Sequence, residues 1–89
     1  MTLDITQSVG AIAATLTTLA FVPQVVKTLK TRHTRDISLS MWVLFSAGVA
    51  LWLVYGLLMA AWPVIAANAA TLVLALIVLG VKLSNRGRE

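Results

Sequence analysis

Cysteine is absent from this 89-residue chain, so it can form neither disulfides nor thiolate metal sites. Histidine occurs once and acidic residues only three times. No metal-ligand spacing, nucleophile–base pair or phosphate-cradling loop is present, so the residues point to no metal, no cofactor and no enzymatic activity. Charge is scarce: 11% of the chain, against 60% hydrophobic. A soluble domain this short buries only about 60% of its unfolded surface and needs polar residues over the rest. With a mean hydropathy of +0.94, this chain lacks them. The N-terminus, Met1-Thr2-Leu3-Asp4, also lacks the positive charge of a secretory signal peptide. The first apolar run is therefore expected to stay in the mature protein.

What is present falls in long apolar blocks, the pattern of a membrane protein. The charged residues all lie outside the middle of those blocks. They are Asp4, then Lys27, Lys30, Arg32, Arg35 and Asp36, then Lys82, Arg86, Arg88 and Glu89. The net charge of +4 therefore reads as a topology signal. It is not a nucleic-acid footprint, which needs a basic face on a soluble surface.

Three spans are predicted, from Ile5 to Leu29, Leu39 to Ala60 and Pro63 to Leu83, together forming one all-α transmembrane domain. Each is long enough to cross ~30 Å of hydrocarbon. The first is rich in small residues and threonine, which let helix backbones approach closely. A basic connector, Lys30 to Ser38, follows, and Ser38 or Ser40 is available as an N-cap for the second span. His33, alone among these charges, reads as a solvated loop residue. Ala61-Trp62-Pro63 is a short uncharged link, and proline suits a first helical turn. The basic connector and tail mark the cytoplasmic side, which puts the N-terminus outside and the C-terminus inside. Trp42 and Trp62 fall at opposite ends of the spans, where indoles favour the membrane interface. No internal repeat or low-complexity segment is visible.

Three stretches carry the functional reading. Pro23-Gln24 sits near the cytoplasmic end of the first span, and a proline inside a helix removes one hydrogen bond and kinks it. On the second span Phe45, Gly48, Trp52, Tyr55 and Met59 recur at steps of three and four, which places them on one face. That face serves equally as a packing stripe. Trp52 lies about eight residues, ~12 Å, from the outer end, deeper than an interfacial indole sits. Asn68 lies about five residues, ~7 Å, inside the same boundary on the third span. An intramembrane amide faces protein or a water-filled cavity, and an interhelical hydrogen bond accounts for it equally well. Together, a flat aromatic and an amide at similar depth suit a sugar, which offers an apolar ring face and hydroxyls. No ionisable residue lies in the middle of any span. Ion-coupled carriers place one there, so passive movement of a neutral solute is favoured.

The ordered set Phe21-x-Pro23-Gln24, Phe45, Trp52-x-x-Tyr55-Gly56 and Pro63-Val64-Ile65-x-x-Asn68 resembles the SemiSWEET sugar transporters, the bacterial half-size relatives of the SWEETs within the PQ-loop group. The resemblance spans roughly Ile5 to Leu83. It implies a three-helix bundle that acts as a parallel homodimer in the inner (plasma) membrane, in contact with lipid and with no nucleic-acid partner. It implies a sugar such as glucose or sucrose as substrate, bound by Trp52 and Asn68 of each protomer. It also implies that Phe21 and Phe45 close the cytoplasmic side and Tyr55 the outer side, with Pro23 as a hinge beside Gln24. Some members reinforce the outer gate with charged residues after the tyrosine. Leu57, Leu58 and Met59 are apolar here, so Met59 packing on Tyr55 is the expected substitute. Two other readings use the same residues: a carrier of a different small neutral solute, and a holin-like or non-transporting membrane protein. A carrier saturates and shows competition between sugars, whereas a holin releases large solutes nonselectively.

Overall fold

The computed structural model describes residues 4–85, so the sequence reading of Arg86, Arg88 and Glu89 lies outside the described residues. Helix α1 runs Ile5–Thr31, α2 Leu39–Leu58 and α3 Trp62–Ser84. All three are long and apolar enough to cross a membrane. The Asp4 carboxylate starts α1 by accepting from the Gln7 N–H at 2.7 Å, and Ser38 Oγ starts α2 by accepting from the Met41 N–H at 3.2 Å. Side-chain oxygens at these positions satisfy donors that the first helical turn leaves unpaired. Pro63 occupies the first turn of α3, where its missing N–H costs nothing.

The link between α2 and α3 is Met59 to Ala61, two residues earlier than the sequence suggested, because α2 stops at Leu58 and Trp62 already belongs to α3. Ala60 adopts a left-handed φ of 52°. The N–H of Ala61 bonds back to Gly56 O at 3.0 Å and that of Ala60 to Leu57 O at 3.3 Å, a Schellman ending that satisfies the last carbonyls. Gly56 lets α3 fold back tightly. A Cβ there would meet Val64 Cγ1 at 3.0 Å and the Ile65 backbone N at 3.2 Å.

Order in space differs from order in the chain. Helix α3 packs against both α1 and α2, whereas the backbones of α1 and α2 do not approach each other. The core gathers where α3 faces them both: Val25, Trp42, Ala75 and Val78 are buried, with Phe21, Phe45 and Ile77 against them. On α1, Ile5, Val9, Ile12, Leu16 and Leu19 are at least 60% exposed. They repeat at helical spacing, forming an apolar stripe with a bilayer as its natural surrounding.

The connector is held more firmly than a solvated loop. Asn85 Nδ2 donates to Arg32 O at 2.7 Å and to Thr34 Oγ1 at 2.9 Å. Lys82 Nζ donates to Thr34 O at 2.8 Å, and the Arg32 guanidinium to Ser84 Oγ at 2.9 Å. Thr34 is fully buried and Asn85 nearly so, which raises the value of each bond, since an unpaired polar group there would be costly. His33 is exposed as expected, with Asp36 3.8 Å away.

Candidate functional site

The α2 face marked by the sequence spacing lies open. Trp52 is 57% exposed and Tyr55 49%, and their rings meet edge to face with centroids 5.4 Å apart. Edge-to-face contact suits the ring quadrupoles and fixes the pair as one surface. With Gly48 and Leu51 they line a concavity of about 440 Å³. A Cβ on Gly48 would meet nothing within 4 Å, so no packing inside the chain requires glycine there. Its effect is to widen the hollow beside Trp52. Met59 lies one residue beyond the end of α2 and is exposed.

Asn68 stands on α3 seven residues, two helical turns, before the fully buried Ala75, which places both on one face. Its Nδ2 donates to Val64 O at 2.9 Å, a bond within its own helix that leaves the amide oxygen for another donor. The observed helix ends refine the depths. Trp52 is six residues from Leu58 and Asn68 six from Trp62, so each lies ~9 Å from the same end of the bundle.

Towards the connector a cluster of rings crosses the groove between α1 and α2. Phe21 and Phe45 stack with centroids 5.5 Å apart, and Trp42 meets both edge-on at 5.8 and 5.7 Å. These rings bridge two helices whose backbones stay apart. Trp42 is only 8% exposed, which corrects the expectation that it sits at the membrane interface. Position near a span end suggested headgroups, but two phenylalanine partners turn the indole inward. Trp62, the other presumed interfacial indole, has its N–H buried without a partner, as are the hydroxyls of Thr18 and Ser46.

Helix α1 continues without interruption through Pro23, which is exposed. The ring removes the N–H that would otherwise bond the Leu19 carbonyl, so this turn is held by one bond fewer. Gln24 Nε2 then donates to the buried Thr28 Oγ1 at 3.1 Å, tying the turn after the proline together. Among the described residues no group of three or more His, Cys, Asp or Glu is placed to hold a metal.

Fold and site thus define a membrane-embedded three-helix bundle with an aromatic face open at one end and a ring cluster across the groove towards the other. The family model of the PQ loop repeat matches residues 5–65. The sugar transporter SemiSWEET of Bradyrhizobium diazoefficiens is 55% identical over 67 residues, covering 75% of this chain and 78% of that one. The sugar transporter SemiSWEET of Leptospira biflexa is 47% identical over 76 residues, covering 85% and 89%. Among solved structures, SemiSWEET in the inward-open conformation superposes with a TM-score of 0.90 at 42% identity, covering 97% of this chain and 92% of that one. A bacterial homologue of SWEET transporters gives a TM-score of 0.84 at 38% identity, covering 91% and 98%. The chain belongs to the SemiSWEET family of the PQ-loop group. Both curated relatives are named transporters, not enzymes, in line with the absence of catalytic groupings in the sequence.

Proposed function

We propose that this chain is a passive carrier of a neutral mono- or disaccharide, working as a parallel homodimer by alternating access in the inner membrane, with the N-terminus outside. The observation that carries the reading is the Gly48-Leu51-Trp52-Tyr55 hollow. It is a half-exposed aromatic face at membrane depth, and a second copy facing it would turn an open concavity into an enclosed one. Within that enclosure Trp52 stacks on the sugar ring and Asn68 exchanges hydrogen bonds with its hydroxyls. Phe21 and Phe45 close the path on the connector side, and Tyr55 with Met59 closes it at the other end. Pro23, with one backbone bond fewer around it, is the hinge, and Gln24 splints the turn that follows. No Asp, Glu, Lys, Arg or His stands between Asp4 and Lys27, within α2, or between Trp62 and Lys82. The pathway therefore offers no site for a driving ion, and the solute follows its own gradient.

The decisive measurement is uptake of labelled sugar into liposomes containing the purified protein. Trp52→Ala and Asn68→Ala are each expected to abolish uptake while leaving the protein folded. Undiminished uptake in both variants would sink the assignment.

A further inference from the structure

A second concavity, of about 570 Å³, lies between the last turns of α1 and the first turn of α2. Its lining includes Gln24, Lys27, Thr28, Thr31, Asp36 and Trp42. Gln24 and Trp42 also line a neighbouring hollow with Thr17, Ala20 and Phe21. On α1, positions 17, 21, 24, 28 and 31 repeat at steps of three and four, so both hollows follow one helix face past the ring cluster. Trp42 stands where they meet. Its indole N–H has no acceptor among the described residues, yet it is not among the sealed unpartnered groups, which are Thr18, Ser46 and Trp62. The Trp42 side chain lines both hollows. The surrounding polar groups also have capacity left. Gln24 donates to the buried Thr28, and its amide oxygen remains to accept. The Asp36 carboxylate accepts and the Lys27 ammonium donates.

We infer that this concavity is a second sugar-binding station, distinct from Trp52 and Asn68, which holds the solute on the connector side of the Phe21–Phe45 closure. The inference rests on the sugar-carrier reading. A flat indole edge, donors and acceptors in both directions, and a volume within the range of small-molecule sites match the same ligand class as the central pair. A solute leaving that pair would exchange one set of hydrogen bonds for another before meeting bulk water.

The test is transport from each side separately, in liposomes where the orientation of the protein has been sorted. Trp42→Phe keeps a ring against Phe21 and Phe45 and removes the N–H donor together with part of the indole's bulk, so the thermal midpoint is read beside transport. Asp36→Ala alters a side chain that is 93% exposed, so folding is not at stake. In each variant the half-saturating sugar concentration on the connector side is expected to rise about fivefold, the scale of one hydrogen bond, with that on the other side unchanged. Because a passive carrier must keep Vmax/KM equal in the two directions, the connector-side Vmax should rise in step. An equal shift on both sides, or no shift, overturns the station. The unmodified chain separates the two claims. If it moves no sugar, the carrier reading fails; if it moves sugar and the variants match it on the connector side, only the station fails.

Discussion

Towards the connector, α1, α2 and α3 enclose Val25, Trp42, Ala75 and Val78, and three aromatic rings fill the gap between α1 and α2. Beyond these, Thr34 and Asn85 lock the connector to the end of α3. Towards the α2–α3 turn the same helices meet through small groups, with Gly10 against Pro63 and Gly56 against Val64 and Ile65. There Trp52, Tyr55 and Met59 remain exposed. One half of the bundle turns its aromatic rings onto one another; the other leaves its largest aromatic surface without a cover. Side chains buried in a protomer hold it together, whereas those it leaves bare at membrane depth are available to a solute or a second copy. The contrast separates the closure and hinge proposed for the packed half from the solute-binding face proposed for the open one.

Three substitutions probe that contrast. Asn85→Ala removes two amide hydrogen bonds from a buried cluster and should cost about 2–3 kcal/mol of stability. A clear fall in the thermal midpoint of the detergent-solubilised protein is expected, and an unchanged midpoint would mean that the connector half does not depend on this lock. Pro23→Ala restores the missing bond to Leu19 and stiffens α1. Transport should slow about tenfold, ~1.4 kcal/mol on the barrier, with much less change in sugar binding measured at equilibrium. If rate and affinity both stay at the unmodified level, Pro23 is not a hinge. Smallest is Ala60→Gly at the turn of the open half. Relieving a left-handed alanine should stabilise by about 1 kcal/mol, read as a modest rise in thermal midpoint. A fall would show that the alanine methyl matters more than its backbone strain.

Most of the fold was legible because hydropathy and charge placement report directly on membrane spans. The observed helices depart from the expected ends by two residues at Thr31 and Leu58, and by one at Trp62 and Ser84. Those shifts are set by capping bonds, such as Ala61 to Gly56, that no periodicity announces. The Phe45-to-Met59 face was readable from spacing alone, since one helix carries it. Phe21 entered only through family resemblance, because its partner rings lie on another helix. Trp42 was misplaced for the same reason: local position suggests an interface, and only tertiary packing turns the indole inward. The Thr34–Asn85 lock joins residues 51 apart and left one faint sign in the sequence. That sign is the polar pair Ser84-Asn85, which closes an apolar helix at the same end as the connector.

The placement of α3 between the other two helices also bears on how the bundle is made. When α1 and α2 have entered the bilayer, their backbones have no shared contact surface to settle on, because every close helix–helix approach in the bundle involves α3. Synthesis from the N-terminus therefore delivers first two spans that meet only through the rings of Phe21, Trp42 and Phe45, and the common wall last. The connector lock waits for that arrival, since Asn85 lies on the segment made last, as does the burial of the core against Ala75 and Val78. All the close backbone packing of the bundle thus depends on the segment made last, residues 62–84, and the lock on Asn85 just after it.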